Sequence, residues 1–168
     1  IAETNIEKCM EENDLSWVNF AKCKPVLCEA EAFARAVYFQ EYVGNALLVV
    51  HTTNGEALNT ARRAHGKGLP LYVETGPHYL TLFDDLYKGE NGHLAICSPP
   101  LRTPKEAEEL WEGLKDGTIL LTGSDDCTFD VDEKSLFLEK NPDGTWKQDF
   151  TKVVNGMSGI EIRLPLML

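Results

Sequence analysis

The sequence lacks the features that mark a disulfide-stapled or membrane-spanning protein. Its five cysteines are an odd number, and no two of them form a C-x-x-C pair. No secretory leader is visible, and no apolar run approaches the ~18 residues that a membrane span needs. A disulfide framework is therefore not expected, and the pattern is typical of a protein of the reducing cytoplasm. Cys97 and Cys127 lie close to the ends of predicted strands, so each could be a metal ligand or an ordinary buried thiol, and we favour the buried thiol.

Positive charge is also scarce. The 168 residues include 16 lysines and arginines against 27 aspartates and glutamates, which gives a net charge of -11. This balance disfavours a nucleic acid or an anionic membrane as a partner, and by itself it indicates solubility rather than a particular substrate. With 43% hydrophobic residues, the chain has enough apolar side chains for a sizeable core and does not have the composition of a disordered segment.

Four short apolar runs are each followed by a polar residue. Leu47–Val50 leads to His51, Leu71–Glu74 to His78, Leu94–Cys97 to Ser98, and Ile119–Thr122 to Asp125. Apolar runs of this length between turn signals are typical of buried parallel strands. Helical periodicity predicts helices over 28–43, 55–67 and 103–116. The alternation predicts an α/β fold with a parallel sheet, in which ligands gather at the strand ends as in a (β/α)8 TIM barrel.

The length bounds how much of such a barrel is present. About four βα units can be counted, whereas a closed barrel takes roughly 200 residues or more. Residues 1–168 are therefore either a small open α/β domain or part of a larger TIM barrel domain, and we favour part of a barrel. Residues 1–28 are expected to form an irregular N-terminal segment, and 128–150 a long, charged, mobile loop on the active-site side. A part-barrel leaves strand edges unpaired, so alone it is expected to aggregate or pair with another chain.

Two histidines and an aspartate at strand ends form a ligand set for zinc or a similar divalent ion: His51, His78 and Asp125. Such a metal lowers the pKa of its bound water, and the resulting hydroxide attacks a polarised carbonyl carbon while a carboxylate moves the proton. The alternatives are ordinary hydrogen-bonding roles for the histidines and a solvated surface turn at Asp125-Asp126. Ser98–Arg102 is a rigid segment that either holds a planar substrate or simply connects two elements.

Six segments match those of one known protein family and follow each other along the chain in the same order. They cover nearly the whole chain from about Lys24. They are KPVLCEAEAFARA (24–36), LLVVHTT (47–53), GLPLYVETGPHYLTL (68–82), CSPPLR (97–102), ELWEGLKDGTILLTGSDDCTF (109–129) and DFTKVVNGMSGIEIRLPL (149–166). Together they resemble the dihydropyrimidinase and hydantoinase branch of the amidohydrolase superfamily. The resemblance implies the C-terminal half of a metal-dependent barrel that opens cyclic amides such as dihydropyrimidines and hydantoins. It also implies two divalent metal ions, with zinc as the expected ion, and a homotetramer.

The resemblance assigns roles to the candidate residues. By it, His51 and His78 take the places of the two later metal-binding histidines, and Asp125 that of the metal-binding aspartate that doubles as general acid and base. Ser98 and Asn155 fall where family members hold the cyclic amide, largely through backbone groups. The family's early His-x-His pair, bridging carbamylated lysine and assisting tyrosine have no counterpart here and are expected upstream. Alone, the chain is therefore expected to be inactive.

Two positions depart from the family, and two other functions stay open. Asp126 stands where histidine is common, which is expected to alter the electrostatics of the substrate site, and Val154 replaces a proline before Asn155. One alternative is a non-catalytic dihydropyrimidinase-like protein for interaction and assembly; the other is a related allantoinase or dihydroorotase. Retention of all three candidate metal ligands favours the enzyme. The ending NGMSGIEIR (155–163) favours the dihydropyrimidinase branch.

Overall fold

The computed structural model describes all 168 residues, with eight α-helices around three short strands. The helices are α1 (Ala2–Glu11), α2 (Trp17–Cys23), α3 (Val26–Val43), α4 (Gly55–Gly66), α5 (Pro77–Thr81), α6 (Pro104–Lys115), α7 (Val131–Lys134) and α8 (Ile160–Met167). The strands are β1 (Leu47–Val49), β2 (Leu71–Thr75) and β3 (Leu121–Thr122), and short 3-10 turns cover Asp84–Lys88, Gly92–Ala95 and Phe150–Lys152. None of the helices combines the length and the apolarity that crossing a bilayer requires.

The three helices predicted from periodicity are confirmed, and their ends follow the capping residues. The Asn54 side chain accepts a hydrogen bond from the Ala57 N–H at 2.9 Å and begins α4. Thr103 and Glu106 form a capping box at the start of α6. Helix α3 ends at Gly44, whose φ of +79° lies in the left-handed region that glycine adopts without strain. Local sequence therefore determines where these helices begin and end.

The parallel sheet is also confirmed, in the order β1-β2-β3. Val73 of β2 is buried on the face that the helices cover, whereas Tyr72, its neighbour in the strand, points to the opposite face and is 45% exposed. Leu48 of β1 pairs with Tyr72, and Leu121 of β3 pairs with Glu74, so Leu48 and Leu121 are also exposed. One face of the sheet therefore packs on the helices while the other is open.

The prediction of a strand over Leu94–Cys97 is wrong. The stretch begins in the 3-10 turn Gly92–Ala95 and continues without a strand partner. Tight packing explains this, because a Cβ atom on Gly92 would lie 2.9 Å from the Tyr87 carbonyl oxygen. His93 is fully buried, with its ring centroid 5.5 Å from that of Trp17. The apolar run thus reflects burial in the core, and the sheet has three strands where four were predicted.

Residues 1–28 and 128–150 are more ordered than the sequence analysis expected. The first stretch is mainly helical, because Trp17 and Phe20 of α2 insert into the hydrophobic core. The second contains α7 and an antiparallel bridge between Lys140 and Trp146, and Lys134 is buried rather than solvated. The expectation of an irregular segment over 1–28 was therefore wrong, and the expected long loop over 128–150 contains a short helix and one bridge. The division of the chain into domains stays a prediction.

Candidate functional site

The residues that follow the three strands are held together by hydrogen bonds. The Thr52 N–H donates to the Glu74 carbonyl oxygen at 2.8 Å, and the Gly123 N–H donates to the Thr75 carbonyl oxygen at 3.0 Å. The buried Thr75 hydroxyl donates to the Thr52 carbonyl oxygen at 2.7 Å. Because the strands are parallel, these bonds extend the sheet past its carboxyl edge, where the candidate metal ligands lie.

His51 and Asp125 share an unusual backbone conformation at this edge. Their φ angles are +41° and +46°, in the left-handed region that residues other than glycine rarely adopt. His51 is half-buried and Asp125 is exposed. Backbone strain of this kind costs about 1–3 kcal/mol and is found most often at functional sites.

His78 lies in the first turn of α5 and is buried, with 6% of its surface exposed. Its ring packs on Tyr79 at 4.0 Å between centroids and against Gly76, where a Cβ atom would lie 2.5 Å from the imidazole Cε1. Burial lowers the pKa of His78 below its ordinary value; the Asp125 carboxylate opposes this shift and His51 adds to it. His78 is therefore close enough to both residues to interact with their charges, and it favours the neutral form that binds metals.

The four histidines fall into two groups: two whose rings form hydrogen bonds within the chain and two whose rings do not. His65 Nε2 lies 2.9 Å from the Leu71 carbonyl oxygen, and His93 Nε2 lies 3.2 Å from the Ser135 hydroxyl. His51 and His78 have no such side-chain partner within the chain. Their ring nitrogens are therefore not committed to holding this part of the fold together.

The three candidate ligands have suitable chemistry but do not form a complete site. Two imidazoles and a carboxylate are a donor set that suits zinc and similar divalent ions. Across the 168 residues, however, no group of three or more histidine, cysteine, aspartate or glutamate side chains is arranged to hold a metal ion. The metal-binding roles of His51, His78 and Asp125 accordingly stay predictions.

Cys97, the other candidate ligand near a strand end, has the character of an ordinary buried thiol. It is 3% exposed, and burial raises its pKa to about 11.

Ser98 and Asn155, the two candidate amide-binding residues, lie side by side. The Ser98 hydroxyl donates to Asn155 Oδ1 at 3.1 Å across 57 positions of sequence. Lys24 Nζ donates to the same hydroxyl at 2.7 Å. The backbone N–H and C=O groups of Ser98 and Asn155 make no hydrogen bond within the chain. A cavity of about 550 Å³ has His51, Ser98 and Lys24 in its wall.

An ion pair that the sequence analysis missed supports this wall. Arg102 Nη2 lies 3.4 Å from Glu29 Oε2, and the two side chains are only 9% and 15% exposed. Glu29 also accepts a hydrogen bond from the Thr53 N–H at 2.7 Å, and Arg102 Nη1 donates to the Lys24 carbonyl oxygen at 2.6 Å. The network joins α3, the end of β1 and the proline-rich segment. Glu29 and Arg102 both lie in segments that carry the family resemblance. That resemblance was the one signal in the sequence that could have pointed to them.

A second missed residue is the buried Lys134. Its ammonium donates to the carbonyl oxygens of Ile96 and Gly156, each at 2.7 Å, and the Gly156 N–H donates to the Ile96 carbonyl at 3.0 Å. Burial lowers the pKa of Lys134 to about 8. Ile96 lies two residues before Ser98, and Gly156 directly follows Asn155. The lysine thus fastens together the two backbone segments that carry the candidate amide-binding residues.

Asp126, where the sequence departs from the family, has a local structural role. Its Oδ1 accepts hydrogen bonds from the N–H groups of Gly159 at 2.7 Å and Ile160 at 3.1 Å, at the start of α8. Thr128 donates to Oδ2 at 2.8 Å, and these bonds lower the pKa of Asp126. The carboxylate is thus engaged by its own chain. Its expected effect on the electrostatics of the substrate site stays a prediction.

Comparisons with known proteins agree with this architecture, although no family model matches the chain. The chain is 38% identical over 148 residues to D-phenylhydantoinase from Escherichia coli O81 (strain ED1a), a match that covers 88% of this chain and 30% of the relative. It superposes on a crystal structure of D-hydantoinase with a TM-score of 0.90 at 34% identity, covering 99% of this chain and 35% of that one. Dihydropyrimidinase from Brevibacillus agri NCHU1002 gives a TM-score of 0.90 at 29% identity, with the same coverage. The chain thus spans about a third of the length of these proteins.

Proposed function

We propose that this chain, which belongs to the dihydropyrimidinase and hydantoinase branch of the amidohydrolase superfamily, is the C-terminal half of the barrel of a metal-dependent hydrolase. The proposed reaction opens the ring of a cyclic amide, with dihydropyrimidines and hydantoins as the substrate class. The names of the relatives support this class, since they include D-phenylhydantoinase and dihydropyrimidinase. We expect the whole protein to be a cytoplasmic homotetramer that uses two divalent ions, with zinc as the expected species.

The proposed roles of His51, His78 and Asp125 rest on their position at the carboxyl edge of the sheet. A divalent ion, when bound, polarises the amide carbonyl and makes water more acidic. His51 and His78 would offer it free imidazole nitrogens, and burial favours the neutral form of His78. Asp125, exposed and close to His78, would accept the proton of the attacking water and return it to the departing amide nitrogen. The remaining ligands would come from outside this chain.

The observation that carries the proposal is the pairing of Ser98 with Asn155. A cyclic amide presents an N–H donor and a C=O acceptor in one plane, and it needs backbone groups that are not already paired. Ser98 and Asn155 are in contact at 3.1 Å, and their backbone N–H and C=O groups are free. The cavity that contains Ser98 also contains His51. An amide held at this wall would therefore lie near a candidate metal ligand.

The direct test measures metal content and ring opening of the full-length protein. We expect to find bound divalent metal by elemental mass spectrometry. We also expect hydrolysis of dihydrouracil or hydantoin, measured as a loss of ultraviolet absorbance. Chelation should abolish the activity, and adding back the divalent metal should restore it. A folded protein with neither metal nor ring opening would support the alternative, a non-catalytic interaction and assembly protein. Turnover of allantoin or dihydroorotate alone would move the protein to a related branch.

A further inference from the structure

Two cysteine sulfurs lie in contact beside the wall that carries Lys24. Cys9 Sγ on α1 is 3.4 Å from Cys23 Sγ at the end of α2. Cys23 is buried, with 1% of its surface exposed, whereas Cys9 is half-buried. A disulfide bond of about 2 Å requires a further approach of roughly 1.4 Å, which rotation of the side chains and a small shift of α1 can supply. The proposed hydrolysis uses neither sulfur.

We propose that Cys9 and Cys23 are a site of reversible oxidation, at which a peroxide converts the two thiols into an intrachain disulfide. In the first step the peroxide oxidises the Cys9 thiol to a sulfenic acid and is reduced to an alcohol, or to water in the case of hydrogen peroxide. The Cys23 sulfur then attacks the Cys9 sulfur, the S–S bond forms, and water leaves. The two thiols together lose two electrons and two protons, and a thiol reductant reverses the reaction.

The surroundings of the two sulfurs set this order of events. Burial and contact with Cys9 raise the pKa of the Cys23 thiol to about 12, so Cys23 stays protonated and away from solvent until it is needed. Cys9, half-buried on α1, is the sulfur that a dissolved peroxide can reach. Lys22 and Lys24 lie near Cys23 and partly offset the rise in its pKa, which favours the thiolate during the second step.

The bond would tie α1 to the wall of the candidate site. Asn5 on α1 already donates a hydrogen bond from Nδ2 to the Cys23 carbonyl oxygen at 3.2 Å. Lys24, the next residue, donates to the Ser98 hydroxyl at 2.7 Å. Oxidation would therefore fix α1 against the segment that supports Ser98, and reduction would release it. This inference does not depend on which substrate the protein uses.

The test starts from the reduced full-length protein treated with hydrogen peroxide, with alkylation of the remaining thiols and peptide mass spectrometry. We expect a cross-linked peptide pair joining Cys9 to Cys23, lighter by two hydrogens and cleaved by dithiothreitol. Cys23→Ser should instead leave Cys9 as a sulfenic acid that a dimedone probe labels. Cys28→Ser, which removes a half-buried thiol on α3, is the matched control and should cross-link as the unsubstituted protein does.

Hydrogen–deuterium exchange gives a second readout, because backbone amides of α1 should exchange several-fold more slowly in the oxidised form. Recovery of both Cys9 and Cys23 as free thiols, at peroxide doses that oxidise Cys28 or Cys127, would overturn the proposal. A Cys9 sulfinic acid without any cross-link would overturn it as well. The deciding measurement is made on the unsubstituted protein, so a variant that fails to fold does not affect the outcome.

Discussion

The two halves of the candidate site are built in opposite ways. The metal edge (His51, His78 and Asp125) has strained backbone at two of its three residues, and its histidines have no side-chain partner within the chain. The amide wall (Ser98 and Asn155) is joined by a direct hydrogen bond, with Lys24 bonded to Ser98 in the cavity wall and the buried Lys134 behind it. The chain thus organises the Ser98–Asn155 pair by itself, whereas we propose that the metal edge is completed by ligands from outside this chain.

This contrast makes stability and activity separable by mutation. A substitution at the half-buried His51 or the exposed Asp125 removes no side-chain packing of the core, so it should lower activity and leave folding unchanged, whereas His78 is buried and its replacement should also affect stability. A substitution behind the amide wall breaks bonds that hold the fold, so it should lower stability as well. The variants that follow challenge this distinction, in order of decreasing expected effect.

The largest effect is expected from Asp125→Asn at the metal edge. If Asp125 is the general acid and base, kcat should fall by about 10²–10⁴-fold, because the side-chain amide of asparagine cannot take up and return the proton. The melting temperature should not change, since the side chain is exposed. Asp132→Asn on α7, another exposed carboxylate, is the matched control and should keep full activity. Undiminished turnover in Asp125→Asn would remove this residue from the mechanism.

The second effect concerns Lys134→Met behind the amide wall. The change leaves the buried carbonyl group of Gly156 without a donor, which costs about 1–3 kcal/mol, and removes one of the two donors to the Ile96 carbonyl, which keeps the Gly156 N–H. We expect a loss of about 2 kcal/mol in the free energy of unfolding, measured by urea denaturation of the full-length protein. KM for the cyclic amide should rise more than kcat falls, because the wall binds rather than reacts. Lys88→Met, at an exposed lysine, is the control; equal stability of the two variants would contradict the proposed support.

Lys134 also shows what the sequence could and could not predict. Helices α4 and α6 and the parallel sheet were predictable because their signals are local: caps, periodicity and short apolar runs. The partners of Lys134 lie 38 and 22 positions away, and a lysine among charged neighbours gives no local sign that it is buried. The prediction of a strand over Leu94–Cys97 failed for a related reason. An apolar run indicates burial, but it does not indicate whether a neighbouring strand is available to pair with it.

For the site itself, the family pattern supplied what local signals could not. It placed Ser98 and Asn155 in one site although 57 positions separate them, and the structure has them in contact. It gave no indication that Lys24 donates a hydrogen bond to Ser98, because that contact depends on how α2 packs. The pattern thus predicted which two residues come together, while the supporting contacts required the folded chain.

The pH dependence of stability gives a smaller, independent test of Lys134. Burial lowers its pKa from 10.5 to about 8 in the folded state. Between these pH values the unfolded chain binds a proton that the folded chain does not, so this group makes stability rise with pH across that window. Lys134→Met lacks the contribution. The stability difference between the unsubstituted protein and the variant should therefore grow by about 2 kcal/mol from pH 8 to pH 10.

Comparing the two proteins is essential here, because other buried groups act in the opposite direction. Burial raises the pKa of Cys97 to about 11, so its contribution is lost as the pH rises from 9 towards that value. The charge of Lys134 lowers the pKa of Cys97, but up to pH 10 the folded-state thiol stays mostly protonated with or without that charge, so the loss is nearly the same in both proteins and largely cancels in the difference. Urea denaturation at pH 7, 8, 9 and 10 gives the comparison. A difference that stays constant with pH would mean that Lys134 is not desolvated in the folded protein.

The smallest effect is expected from Asp126→Asn, which lies between the two halves of the site. The asparagine side chain keeps one oxygen that accepts from the Gly159 and Ile160 N–H groups. It lacks the negative charge of Asp126, which is favourable at the start of a helix. We expect faster hydrogen exchange in α8, with KM unchanged. Ser158→Ala, a neighbouring exposed residue, should leave exchange unaffected. A changed KM with unaltered exchange would instead assign Asp126 to the substrate site, and the structural role of its carboxylate would then be secondary.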